Sequence, residues 1–293
     1  MQPRSLRVEP FRGSTAVARG LLTRDQLRSG AWRRLFRDVY VHRDVEVTHQ
    51  LRALAAGSLV RPGAVVTGCS AAVLWGVELA GPGDDVELTV PPPHHPVRVA
   101  GVRVRRAALA HEDVRPFSGV RVTVPEATAL RVAAALPADD AVVALDRMAA
   151  ARVVDLAEVR RRAGLACGAG AARARRACAL ADGLAESPQE TRLRLLVVRG
   201  GLPSPVAQYE VRHRGSFVAR VDFAWPELKV AVEYDGAWHG EPGQFARDRQ
   251  RLNRLQEAGW RIVFVTAADL HRPAELLARL AAAVQFPGPR VRR

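Results

Sequence analysis

The chain has 293 residues, a formal net charge of +14 and a pI near 11.2, which is length enough for two or three domains with real cores. All but one of its 44 basic residues are Arg, the exception being Lys229, and that balance favours a polyanionic partner because Arg forks onto phosphate better than Lys does. Three cysteines (Cys69, Cys167, Cys178), odd in number and without metal-like spacing, exclude a disulfide framework and a zinc site. No apolar run approaches the roughly 20 residues of a spanning helix, and residues 1–14 lack a hydrophobic signal region, so the expectation is a soluble, cytoplasmic protein with no membrane partner.

Near the N-terminus, residues 15–19 and then Thr23-Arg24-Asp25-Gln26 read as two short helix starts, the second with Thr23 as N-cap and Gln26 at the capping-box position. Gly30 ends that helix. Residues 31–37 form a third short amphipathic segment, followed by a strand over 39–41 and the polar His42-Arg43-Asp44. Helix, helix, helix and wing make a winged helix-turn-helix over residues 1–48, whose third helix and wing would set Arg33, Arg34, Arg37 and Arg43 on DNA. A small helical bundle with a solvated arginine face has the same periodicity. The run Gly20-Leu21-Leu22-Thr23, Gln26-Leu27, Gly30 and Leu35-Phe36-Arg37-Asp38-Val39-Tyr40-Val41 resembles the N-terminal domain of AbiEi-type antitoxins, regulatory partners of nucleotidyltransferase toxins. That resemblance implies a DNA-binding transcriptional regulator with a cognate toxin as partner.

Residues 49–163 read as an α+β adaptor. A helix is expected over 68–77, strands over 86–90 and 97–105, and a strand over 120–125 that runs into a helix from Glu126. The Pro-rich connector 91–96 holds His94 and His95, which without a third ligand nearby read as solvated. No convergent polar set appears, and the pattern is also similar to the middle part of AbiEi-like chains. Residues 164–185, rich in Ala, Gly and Arg, are a basic linker or connecting helix and the expected domain boundary.

The last segment, 186–293, opens with Ser187 as N-cap, Pro188 at the first helical position and Glu190 at the capping-box site, a position that suits either a backbone cap or a role beside a metal. Strands follow over 206–212 and 217–225. Pro226 to Lys229 make a turn that faces Trp225 with Val230 and counts Asp222 opposite Glu233. Alternation sends Asp222, Glu233 and Asp235 to one sheet face and Val221, Phe223, Val230, Val232 and Tyr234 to the other. Like charges paired across strands repel, so converging carboxylates suggest a divalent cation, most often magnesium; the bland reading is a solvated acidic face. A helix over 245–257, a strand over 260–266 and a last helix over 273–284 complete the order α-β-β-β-α-β-α.

With Asp222, Glu233-Tyr234-Asp235-Gly236, Ser187-Pro188, Glu190, Arg194, His239, Asp248, Arg251 and Gly259-Trp260, this segment resembles the PD-(D/E)XK nucleases, in the branch related to the very-short-patch-repair endonuclease. The fold class implied is a multidomain α+β and α/β chain, with a winged helix-turn-helix, an α+β adaptor and a restriction-endonuclease-like αβββαβ core. The resemblance implies a metal-dependent endodeoxyribonuclease in defence or repair. Mg2+ or Mn2+ would sit on Asp222, Glu233 and Asp235, with Glu190 and His239 as further catalytic residues. Arg247 and Arg251 would hold DNA phosphates. The motif lysine is absent, because Asp235 stands in its place. The alternative is a non-catalytic AbiEi-like antitoxin or regulator that uses the nuclease-like fold to bind DNA or a partner. RNA as the polymer and the oligomeric state both stay open at this point.

Overall fold

The computed structural model describes residues 4–94, 98–236 and 244–285, except for the side chains of residues 4, 5 and 244–248. The chain divides into two compact units, Met1–Ala179 and Leu180–Arg293, and both are mixtures of helix and sheet. No described helix is long and apolar enough to cross a membrane.

The first unit opens with a small antiparallel sheet in which β1 (Phe11–Arg12), β2 (Trp32–Phe36) and β3 (Val39–His42) lie in the order β1-β3-β2. Between its strands stand α1 (Gly13–Ala18) and α2 (Arg24–Arg28). The capping box at α2 is formed as the spacing predicts, with Gln26 N donating to Thr23 Oγ1 at 3.1 Å and Thr23 N donating to Gln26 Oε1 at 2.8 Å. The third helix expected over 31–37 is instead strand β2, paired with β3 from Trp32 opposite His42 to Phe36 opposite Val39. Trp32 and Phe36 are four residues apart, a spacing that suits a helix face and, being even, a strand face as well. The two-residue turn Arg37-Asp38, with Asp38 in the left-handed region at φ 60, brings the β-branched run 39–41 alongside and decides the matter for the strand. Asp38 then accepts from Ser14 N at 2.8 Å and ties the hairpin to the start of α1.

A five-stranded sheet follows, built from β4 (Val65–Val66), β5 (Val86–Val90), β6 (Val102–Arg106), β7 (Val114–Phe117) and β8 (Val120–Thr123) in the order β6-β5-β4-β8-β7. The helices of this part are α3 (His49–Ala55), α4 (Gly68–Leu74), α5 (Pro125–Ala135), α6 (Ala138–Ala150), α7 (Leu156–Leu165) and α8 (Ala171–Leu180). The main core packs Val66, Val86, Leu88, Val90, Val102 and Val122 of the sheet against Ala53, Ala55, Ala56 and Leu74. Phe36 and Val39 of the N-terminal hairpin belong to this same core. Buried Arg52 of α3 fastens the hairpin side further. It donates to the carbonyls of Pro82, Asp84 (2.6 Å) and Gly101 (3.3 Å) while its guanidinium lies over the Phe36 ring.

In the second unit α9 (Pro188–Arg199) is capped by Ser187, whose Oγ accepts from Glu190 N at 3.2 Å. The strands β9 (Val206–His213), β10 (Ser216–Trp225) and β11 (Val230–Tyr234) form an antiparallel meander. From β11 the chain crosses through α10 (Gln244–Glu257) to β12 (Arg261–Val265), which pairs parallel to β11. Two C-terminal helices, α11 (Ala267–Leu270) and α12 (Pro273–Gln285), complete the unit. The sheet order is β12-β11-β10-β9. One apolar cluster joins Phe223, Trp225, Val230 and Val232 to Leu193 of α9 and to Leu276 and Leu280 of α12. A second cluster joins Ala224 and Ala231 to Leu255, Ala258 and Trp260. Val221 packs in this second cluster rather than with Phe223, as strict alternation would have it. Between the pairs Val221–Tyr209 and Phe223–Ala207 stands Gln208, whose φ of 50 is left-handed and interrupts the pleat.

Candidate functional site

Two groups of residues were singled out by chemistry, and each lies within one unit. The first is the carboxylate set of the second unit. Trp225 pairs with Val230 and Phe223 with Val232, the register that the turn count predicts for these positions, and Asp222 and Glu233 are the next residues along the two strands, just beyond the last paired residues. Asp222 Oδ2 accepts the backbone N–H of Tyr234 at 2.7 Å. Burial pushes the Asp222 carboxyl up to about 6, the Tyr234 N–H pulls it back, and the neighbouring charges of Glu190, Glu233 and Glu186 raise it further. Glu190 is buried, and its Oε2 accepts from Glu186 N at 2.9 Å and from Gln208 Nε2 at 3.1 Å. It thus reaches the backbone one residue before the N-cap, a variant of the capping role that its position suggested.

Glu233 is buried and fully engaged. Arg251 of α10 meets it fork to fork, Nη1 to Oε1 at 2.6 Å and Nη2 to Oε2 at 2.5 Å. Arg251 therefore turns towards the sheet, away from the phosphate-holding position expected of it. Its inward course has a sequence signal: Arg251 and Leu255 of α10 and Ala258 just past its end fall at i, i+4 and i+7, one helical stripe, and the latter two are buried. Asp235 is exposed, with its backbone N–H donated to Val265 O at 2.7 Å. His239 and the side chain of Arg247 lie outside the described residues. Among the described residues no three His, Cys, Asp or Glu side chains stand together as a metal-binding group. As arranged, the described carboxylates do not fit a divalent cation. Both oxygens of Glu233 are engaged by Arg251, Oδ2 of Asp222 by Tyr234, and Oε2 of Glu190 by Glu186 and Gln208.

The second group is the arginines of the N-terminal hairpin. Arg33 and Arg34 on β2, Arg37 at the turn and Arg43 just past β3 are all exposed. They lie on the β2–β3 hairpin of the three-stranded sheet, with Arg33 Nη2 donating to Arg43 O at 2.9 Å and Arg43 Nε 3.5 Å from Asp44. A basic hairpin of this kind can lie along a nucleic-acid backbone or enter a groove, so the charge stays available although the helix expected to carry it is absent. His94, from the Pro-rich connector, is exposed and its Nδ1 lies 3.2 Å from Pro91 O, while His95 is outside the described residues.

Comparison with known proteins gives two results. Residues 64–185 match the family model of the AbiEi antitoxin C-terminal domain. The match covers the five-stranded sheet and the helices after it, a stretch with little chemistry of its own, and not the segment 20–41 that carries the resemblance by motif. Two relatives from Mycobacterium tuberculosis, uncharacterized proteins MT2308 (strain CDC 1551 / Oshkosh) and Rv2248 (strain ATCC 25618 / H37Rv), are each 34% identical over 271 residues, covering 87% of this chain and 93% of theirs. No solved structure matches the chain significantly. The chain belongs to the family of these two mycobacterial proteins, and its residues 64–185 are similar to the AbiEi antitoxin C-terminal domain.

Proposed function

We propose that this protein is a non-catalytic regulator of the antitoxin type, which binds DNA through the arginines of its N-terminal hairpin and answers to a cognate toxin. The observation that carries the reading is the antitoxin-domain match over residues 64–185, on a sheet whose core also seats Phe36 and Val39 of the arginine-bearing hairpin. Reader and antitoxin domain are thus one folded body. The net charge of +14 suits a DNA partner. The test is binding to a DNA fragment from upstream of the protein's own gene, titrated with salt. Changing Arg33, Arg34 and Arg37 together to Ala should weaken binding and flatten the salt slope by up to about 3, at about 0.9 for each phosphate no longer neutralised. An unchanged slope sinks the hairpin as the DNA-binding element.

A second reading, metal-dependent phosphodiester hydrolysis in the second unit, has one observation in its favour: Glu190, Glu233 and Glu186 all bear on Asp222. It is the chemistry that the PD-(D/E)XK resemblance implies, with Mg2+ or Mn2+ as cofactor. It requires Arg251 to release Glu233, and no hydrolytic step follows from the arrangement described. Cleavage of any DNA or RNA that depends on Mg2+ or Mn2+ and is lost in Asp222→Ala would put the nuclease in place of the regulator.

A further inference from the structure

We infer that Arg251 is the resident cation of the second unit's acid group, a built-in partner for Glu233 that keeps divalent metal out as long as α10 lies against the sheet. The acids around Asp222 are Glu190, Glu233 and Glu186, and the strands of Asp222 and Glu233, β10 and β11, carry no Lys. A buried carboxylate such as Glu233 needs a compensating charge, because an ion in a poorly hydrated site costs far more unpaired than paired. That charge arrives from the helix after β11. The side chain of Glu233 is 10% exposed and that of Arg251 31%, so the carboxylate is buried and the guanidinium is partly open to solvent. Arg220 serves exposed Glu186 in the same way, 2.6 Å from its carboxylate.

The guanidinium does what a metal would do electrostatically, and it cannot do what a metal does chemically. It is planar, permanently charged and unable to bind and acidify a water. Its two parallel hydrogen bonds engage both oxygens of Glu233 and set a fixed positive charge where a cation would have to approach. The fold thus keeps an acidic hairpin of the kind that suits metal and satisfies it from within. This goes beyond the regulator reading, since it concerns the second unit alone and holds whether or not the hairpin binds DNA.

The test uses the full chain and Mn2+ alone, measured by calorimetric titration. Wild type should bind Mn2+ at these acids weakly or not at all. Arg251→Gln should tighten binding by at least about tenfold, and adding Asp222→Asn to that variant should remove the gain. A folded Arg251→Gln protein that binds Mn2+ no better than wild type overturns the proposal, as does wild type that binds tightly. If Arg251→Gln alone does not fold, Arg251→Gln with Glu233→Gln decides the matter, because removing both charges leaves no buried ion. That double variant should fold and resist urea better than the single variant, and failure to recover stability shows that Arg251 was not compensating Glu233.

Discussion

Replacing Asp222 by Asn should stabilise the second unit at neutral and alkaline pH and leave it unchanged in acid. The carboxyl is pushed up from 3.8 to about 6, chiefly by burial, with Glu190, Glu233 and Glu186 adding to the rise. A raised carboxyl means that the folded state holds its proton more tightly than the unfolded chain does. The stability gained from that preference is fully present below about pH 3.8 and is lost as pH rises through about 6. A shift of about two pH units is worth about 3 kcal/mol, at about 1.4 kcal/mol per unit. Asn mimics the protonated side chain and still offers an oxygen to the Tyr234 N–H, so it should show no such loss. The assay is urea-dependent hydrogen exchange of the β10 and β11 amides from pH 4.5 to 8, which reports on this unit alone. The difference between variant and wild type should grow from about 1 kcal/mol at pH 4.5 to about 3 kcal/mol at pH 8, half of the full effect being developed near pH 5, midway between the unfolded and folded values, and most of it by pH 6. In wild type, the chemical shift of the Tyr234 amide should titrate with the folded-state midpoint, about 6. A difference that does not vary with pH, or wild type more stable than the variant at pH 8, would mean that Asp222 is ionised and well compensated, and the reasoning from burial fails.

Arg52→Met keeps much of the side-chain volume and strands the carbonyls of Pro82, Asp84 and Gly101, so urea unfolding of the first unit should lose about 3–5 kcal/mol; a loss below about 1 kcal/mol would show that water takes over these hydrogen bonds. Thiol labelling of the native protein near pH 8 should modify Cys167 alone at a fast rate, because Cys167 is exposed while burial pushes Cys69 up to about 12 and raises Cys178 as well. Fast reaction at Cys69 would contradict its burial.

What could be read from the chain ahead of the fold was local. The pairing of Trp225 with Val230 followed from a four-residue turn and the strict period of a strand, and the Thr23 and Ser187 caps from side-chain chemistry within three residues. Where distant pairing decides, the pattern misleads. Residues 31–37 carry a helix-compatible spacing that only the partner strand β3 resolves. Strand β7 was hidden by Pro116, which lacks an N–H for the ladder and is tolerated because β7 is an edge strand. The carboxylates of Asp222 and Glu233 were legible as a pair, and their cation was not. Period 2 brings two acids together on one hairpin, whereas the approach of Arg251 depends on how α10 packs over the sheet. The core stripe through Leu255 and Ala258 pointed to it, but an arginine at a stripe edge is read as solvated unless a buried acid is known to face it.

Phe36 and Val39 fill the core of the five-stranded sheet, so the hairpin has no independent melting of its own. A ligand held by Arg33, Arg34, Arg37 and Arg43 is therefore thermodynamically linked to every strand from β4 to β8. At a hundredfold excess over its dissociation constant, such a ligand raises the unfolding free energy of that whole body by about 2.7 kcal/mol. The linkage runs both ways: a change that distorts the sheet draws on the same free energy that holds the hairpin in shape, and weakens the hairpin's hold on any such ligand by the matching factor.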